Sequence, residues 1–203
     1  MLRRRSTPAY GAPVALLTVD VELPAQPHRV LIAGGSGAGK TTVARSVAAA
    51  LHLPVYELDC LFHGPGWRPR PSFQADVEVF SRGADWVTEW QYDVVRPLLA
   101  ERADLVVWLD LPRWTVTRQV AGRTYRRLRN REVLWNGNVE PPLARLLTDP
   151  ESVIRWAWRT QPESAKRVAA LLTSQPALTV VRLRDRGEVT RWLAGPLARV
   201  AAR

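Results

Sequence analysis

The sequence predicts an α/β fold built on a parallel β-sheet, and three observations carry that prediction. From Arg29 onward, short β-rich runs alternate with helix-period stretches. The runs are mostly apolar, and Val30 to Ala33 and Leu105 to Leu109 wholly so, as strands buried on both faces and joined by helices require. A glycine-rich loop stands where the first of these strands meets the first helix, while Asp59, Glu89 and Asp110 fall at or near the ends of three others. In open parallel sheets the ligand binds at that edge.

Residues 1–27 read as a Pro-punctuated arm, with Val14 to Val21 as a candidate added edge strand. Residues 28–203 form one domain, the size expected of a single core. Val30 to Ala33 is its first strand and Thr41 to Leu51 its first helix. Pro54 to Leu58 is a second strand ending at Asp59. A helix over Phe73 to Arg82 leads to the strand Trp86 to Glu89, and a short helix over Val94 to Arg102 leads to the strand Leu105 to Leu109. An Arg-rich helical stretch, Trp114 to Arg131, and a helix over Glu151 to Leu172 come next. Leu178 to Leu183 is the last strand and Glu188 to Val200 the last helix.

Composition narrows the function classes. Apolar residues make up 46% of the chain without a run long enough to span a bilayer, so the expected protein is soluble and makes no membrane contact. The start is basic, but Pro8, Gly11 and Pro13 break up the residues after it, which makes a poor signal peptide. A single cysteine, Cys60, excludes an intramolecular disulfide framework and a cysteine zinc site, and reads as a small buried residue. A cytoplasmic location is expected. The net charge is +10, and of 29 basic residues only Lys40 and Lys166 are lysines. Arginine forks suit phosphate, whether of a nucleotide or of a nucleic-acid backbone; scattered surface arginines are the other reading.

Gly34-Gly35-Ser36-Gly37-Ala38-Gly39-Lys40-Thr41 satisfies G-x-x-x-x-G-K-[ST] and lies between a strand and a helix. Glycines let successive N–H groups turn inward, forming a nest for phosphate oxygens at the positive end of the helix. The expected nucleotide contacts are Gly35, Ser36, Gly37, Ala38, Gly39, Lys40, Thr41 and Thr42, with Lys40 reaching the terminal phosphates and the Thr41 hydroxyl ligating Mg²⁺. The cofactors expected are ATP and Mg²⁺.

Through these residues the chain resembles the adenylate-kinase-like branch of P-loop kinases. Within it, the chain looks most like the bacterial FlaR-type topology modulation, or adenylate kinase-related, proteins. The resemblance runs over residues 29–195 and rests on Gly34 to Thr42, Val55 to Asp59 with Gly64-Pro65-Gly66-Trp67, and Leu109-Asp110-Leu111-Pro112-Arg113. Glu132 to Asn138 and Arg155-Trp156-Ala157-Trp158 extend it. It implies a P-loop NTPase three-layer sandwich, with a five-stranded parallel sheet in the order 2-3-1-4-5 and an Arg-rich lid over about residues 113–140. Arg118, Arg123, Arg126, Arg127, Arg129 and Arg131 are the lid arginines; Arg118 would pack near the base and Arg123 would act on the transferred phosphate.

The resemblance also makes Asp59 the expected base and places Glu89 near Mg²⁺. It exposes a departure, since Glu89-Trp90 stands where the family has Asp-Gly, and Trp90 would crowd the acceptor side. Asp110 ends an apolar strand and so resembles a Walker B acid, but in that strand order it lies on the other flank of the loop strand, and a structural role, such as capping the turn before Pro112, is at least as strong a reading. His63 and Trp67 read either as an acceptor-side loop or as a turn pinned by a buried indole. The function expected is therefore ATP-dependent phosphoryl transfer to a small acceptor, a nucleotide or nucleoside-like molecule. The alternatives are a nucleotide-dependent regulator that binds nucleic acid, which is not the favoured partner, and a non-catalytic nucleotide-binding protein.

Overall fold

The computed structural model describes residues 16–139 and 153–203. Six strands pair in parallel: β1 (Leu16–Leu17), β2 (Arg29–Gly34), β3 (Val55–Tyr56), β4 (Trp86–Glu89), β5 (Leu105–Leu109) and β6 (Thr179–Leu183). Their order across the sheet is β1-β6-β5-β2-β4-β3. The expected count of five is corrected to six, because Leu16–Leu17 pairs with Val180–Val181 at the edge beyond β6. The remaining five run in the order expected. The span expected to form the lid folds as a helix over Arg113–Arg129 and a short turn at Trp135–Gly137, with Glu140 outside the described residues.

Alternation along β2 sorts the core into two layers, as a strand with period two must. Val30 and Ile32 face α1 (Lys40–Leu51) and the C-terminal helices, packing with Val43, Val47, Trp192 and Leu197. Leu31 and Ala33 point the other way, into a cluster with Phe73 of α3 (Phe73–Ser81), Leu99 of α4 (Arg96–Arg102) and Val168 and Leu171 of α6 (Val153–Ser174). Helices therefore cover both faces of the sheet, and the side chains of β2, β4 and β5 are almost wholly buried.

Two elements differ from the sequence expectation. The second strand stops at Tyr56, and Leu58–Phe62 coils into a short helix, α2. Leu58, Leu61 and Phe62 have the i, i+3, i+4 spacing of one helical face, and they pack on the second core cluster. Asp59 therefore sits in the first turn of α2 rather than at a strand end. The last helix also divides. Asp185 caps α7 (Arg186–Trp192) by accepting from Glu188 N at 2.8 Å, and Glu188 Oε2 accepts from Arg184 N at 2.7 Å. A wider turn comes next, over Leu193–Leu197, before α8 (Ala198–Ala201). It contains Pro196, which has no N–H to offer the normal ladder.

Candidate active site

A cleft of about 1960 Å³ opens along the sheet edge where β2, β4 and β5 end. Its floor is Gly34–Val43. The loop curls around one carbonyl, Gly35 O, which accepts from Ala38 N at 3.1 Å and from Lys40 Nζ at 3.1 Å. Gly37 and Gly39 have φ of 85° and 93°, a backbone that residues with a Cβ seldom adopt. Space demands glycine as well: a Cβ on Gly37 would lie 2.1 Å from Val120 Cγ2, and one on Gly35 would lie 1.7 Å from Gln161 Oε1. The loop is thus wedged between the sheet and two helices, α5 (Arg113–Arg129) and α6. Gly39 caps α1, whose unpaired first-turn amides carry the positive end of the helix.

Glu89 meets this floor from β4. Because Ile32 and Glu89 are register partners, the carboxylate emerges beside the start of the loop. Its Oε1 accepts from Thr41 Oγ1 at 2.6 Å and its Oε2 from Leu58 N at 3.3 Å. Glu89 is only 3% exposed, and burial pushes its pKa above the usual carboxylate range against the pull of those bonds and of Lys40. Lys40 is displaced the opposite way. Burial lowers its pKa, Glu89 and Asp59 counter that, and the charges of Arg123 and Arg96 add to it.

Asp59 faces the other half of the cleft. Tyr92 Oη and Gln91 Nε2 donate to the same carboxylate oxygen, Oδ1, at 2.6 and 2.7 Å. No bond to Oδ2 occurs among the described residues, so one oxygen is anchored and the other is open to the cleft. Tyr92 holds its proton firmly: burial, then the adjacent Asp59 charge, drive its pKa well above the usual phenol range. Its hydroxyl also lies 3.3 Å from His63 Nε2, and burial pushes the His63 pKa below the usual imidazole value, so that ring is neutral at pH 7. Trp67 and Trp135 complete an aromatic wall, their rings 5.1 and 6.3 Å from that of His63.

The arginines fall into two groups. Arg118, Arg123, Arg126 and Arg127 of α5 line the cleft, but Arg129 and Arg131 do not; both are exposed outside it, although the chain returns to the cleft at Glu132 to Trp135. Arg96 and Arg167 line it too, and neither is marked by the sequence. Arg96 pairs with Asp93, stands 6.0 Å from the Trp90 ring centre, and has its pKa lowered to about 10 by burial and by Arg167. Trp90 donates its indole N–H to Arg96 O at 3.2 Å and packs on the core cluster, while still forming part of the cleft wall.

Two further expectations change. Asp110 is absent from the cleft wall and instead accepts from Arg182 Nε at 2.8 Å and Nη2 at 2.5 Å, with Arg182 stacked 4.9 Å over Trp108. That is a structural contact across the sheet, although not the expected cap on the turn before Pro112. Cys60 is exposed, not buried, because α2 turns only Leu58, Leu61 and Phe62 inward. The unforeseen contributors are Gln91 and Tyr92 in the loop after β4, Arg96 at the start of α4, and Gln161 and Arg167 on α6; none carries a motif. No helix of the described residues is long and apolar enough to cross a membrane.

No protein-family model matches the chain, and no curated protein matches its sequence. Among solved structures, it is similar to a gluconokinase from Sinorhizobium meliloti 1021, at 19% identity and TM-score 0.47, over 88% of this chain and 95% of that one. It is also similar to shikimate kinase from Acinetobacter baumannii in complex with shikimate, at 15% identity and TM-score 0.47, over 86% and 89%. Shikimate kinase from Bacteroides thetaiotaomicron gives 16% identity and TM-score 0.44, over 83% and 95%. Likeness at this level carries neither a reaction nor a substrate over to this chain.

Proposed function

We propose that the chain is an ATP-dependent phosphotransferase acting on a small, flat, nucleotide or nucleoside-like acceptor. The observation that carries the reading is the placement of three groups around one cleft: Lys40 at the glycine loop, the Thr41–Glu89 pair beside it, and Asp59 opposite, with one oxygen open. Phosphoryl transfer asks for positioning and charge neutralisation more than for covalent help.

The residues fit the groups they would hold. The loop from Gly35 to Thr42 has the glycine backbone and helix start that suit a polyphosphate, and Lys40 would exchange the Gly35 carbonyl for phosphate oxygens. Thr41 and Glu89 are hard oxygen donors 2.6 Å apart, a set suited to Mg²⁺. Mg²⁺ when bound supplies charge neutralisation on the transferred group. Arg118 would pack near the base, and Arg123, facing Lys40 across the cleft, would stabilise charge on the phosphoryl oxygens. Asp59, oriented by Tyr92 and Gln91, would take the proton of the acceptor hydroxyl. The His63, Trp67 and Trp135 wall suits the flat face of a ring, and Arg96 with Arg167 suits an anionic group on it.

The chain is proposed to work in the cytoplasm and to share the FlaR-type family's reaction class. A second reading, a nucleotide-dependent nucleic-acid binder, draws on Trp114 and Tyr125, both exposed on the Arg-rich α5. A panel of nucleosides, nucleoside monophosphates, sugars and carboxylic acids, offered with ATP and Mg²⁺, tests the choice. Stimulated ATP turnover with a phosphorylated product is expected from a ring-bearing member. ATP turnover that no acceptor raises, together with salt-sensitive binding to single-stranded DNA or RNA, would favour the second reading.

A further inference from the structure

Two short turns meet at the mouth of the cleft, and they share one geometry. In the first, His63 and Pro69 form an antiparallel bridge, Gly64 N donates to Arg68 O at 2.7 Å, and Gly66 and Trp67 take φ of 69° and 60°. In the second, Val133 and Val139 form the bridge, Leu134 N donates to Asn138 O at 2.7 Å, and Asn136 and Gly137 take φ of 56° and 78°. The same backbone shape arises from two unlike sequences more than sixty residues apart.

Side-chain amides fasten one turn to the other. Asn138, 4% exposed, accepts from Trp67 N at 2.9 Å and donates to Gly64 O at 2.9 Å and to Trp135 O at 2.8 Å. Asn136 Nδ2 donates to His63 O at 2.5 Å and to Cys60 O at 3.3 Å. Trp67 Nε1 donates to Val139 O at 3.1 Å, and Trp135 Nε1 to Glu57 Oε2 at 3.3 Å. Asn138 thus serves main-chain groups of both turns at once, and replacing it by an apolar residue would strand a buried N–H and a buried C=O together.

The joint also reaches the arginines. α5 ends at Arg129, a few residues before Val133, and Arg127 reaches the second turn and the residue before it: its guanidinium lies 5.6 Å over the Trp135 ring and its Nε 4.0 Å from Glu132. We propose that Val133–Val139 is a latch in which Asn136 and Asn138 are positioning residues, clipping the end of α5 to the acceptor-side turn so that Arg123, Arg127 and Trp135 are held over the cleft. Its consequence for phosphoryl transfer rests on the proposed function, whereas the joint itself does not. Exchange of acceptor would then require the two turns to part.

Hydrogen–deuterium exchange on the full chain, compared between wild type, Asn138→Ala and Asn136→Gly, tests the latch. Exchange in Asn138→Ala is expected to quicken by about ten-fold or more in residues 64–69 and 126–139, with β2 and α1 unchanged. ATP affinity by titration calorimetry should stay within about two-fold while acceptor-dependent turnover falls by about ten-fold. Asn136→Gly suits the left-handed backbone, loses only the bonds to His63 and Cys60, and should give a smaller change of the same pattern; it carries the test should Asn138→Ala not fold. Unchanged exchange, or a change confined to one of the two turns, would overturn the latch. Faster exchange with unaltered turnover would overturn the positioning role. A wild type without any turnover would defeat the phosphotransferase reading, and the exchange data would still decide the latch.

Discussion

The floor of the cleft and its arginine-bearing wall are held by different means. Gly34–Thr42 is continuous with a buried strand on one side and a buried helix on the other, and Val120 and Gln161 leave no room for a Cβ at Gly37 or Gly35. The facing wall, from Arg118 to Val139, meets the acceptor side through the amide side chains of Asn136 and Asn138 and the indoles of Trp67 and Trp135. A polyphosphate needs a fixed receptor, because its charge must be met without reorganisation. An acceptor that comes and goes needs a wall that can be released, and a handful of side-chain bonds worth about 1 kcal/mol each suits that task.

The sharpest way to break the comparison is at Asp59, a carboxylate anchored on the acceptor side with an oxygen open to the cleft. Asp59→Asn should lower acceptor-dependent turnover by about 10²–10⁴-fold while ATP affinity holds. Equal loss of both would move Asp59 to the nucleotide side. Gly37→Ala probes the rigidity of the floor: the positive φ and the clash with Val120 should cost about 1–3 kcal/mol in a urea melt.

Glu89→Gln separates stability from function in one residue. Burial raises the Glu89 pKa in the folded state, so the stability favoured by its protonated form is present at low pH and lost as pH rises through the folded value. Without Mg²⁺, Glu89→Gln should therefore melt higher than wild type at neutral pH, with the difference vanishing below the ordinary glutamate range. The same variant should lose Mg²⁺-dependent enhancement of ATP binding. A variant that melts lower at neutral pH would show that the bonds from Thr41 and Leu58 outweigh the burial. The smallest effect is expected of Tyr92→Phe, which removes one of two donors to Asp59 Oδ1 and should slow turnover by about two- to ten-fold without altering ATP affinity.

The same contrast explains which parts of the site are legible in the sequence. The loop, its strand and its helix are contiguous in the chain, and each residue type there answers to a local requirement, so Gly35 to Thr42 stands out from spacing alone. Glu89 is legible because it closes an apolar strand next to the loop strand. Asp59 is legible too, yet in the wrong element, since an apolar i, i+3, i+4 pattern at Leu58, Leu61 and Phe62 overrides a two-residue strand. Arg96 and Arg167 reach the cleft, and Gln161 reaches Gly35 behind it, only through the packing of α4 and α6 on the sheet, which no local pattern encodes; Tyr92 turns in from the loop after β4. Asn136 and Asn138 lie in a segment that the family resemblance picks out, but their partners in the His63–Pro69 turn become visible only when the chain is folded.

The central claim is that the Gly34–Thr42 loop grips a polyphosphate, and thermal melting of wild type and Lys40→Ala over an ATP titration with Mg²⁺ tests it most directly. Wild type should rise in melting temperature with ATP, corresponding to about 2.7 kcal/mol at a hundred times the dissociation constant, and Lys40→Ala should show little or none of that rise. An equal rise in both proteins, or none in wild type, would contradict the account.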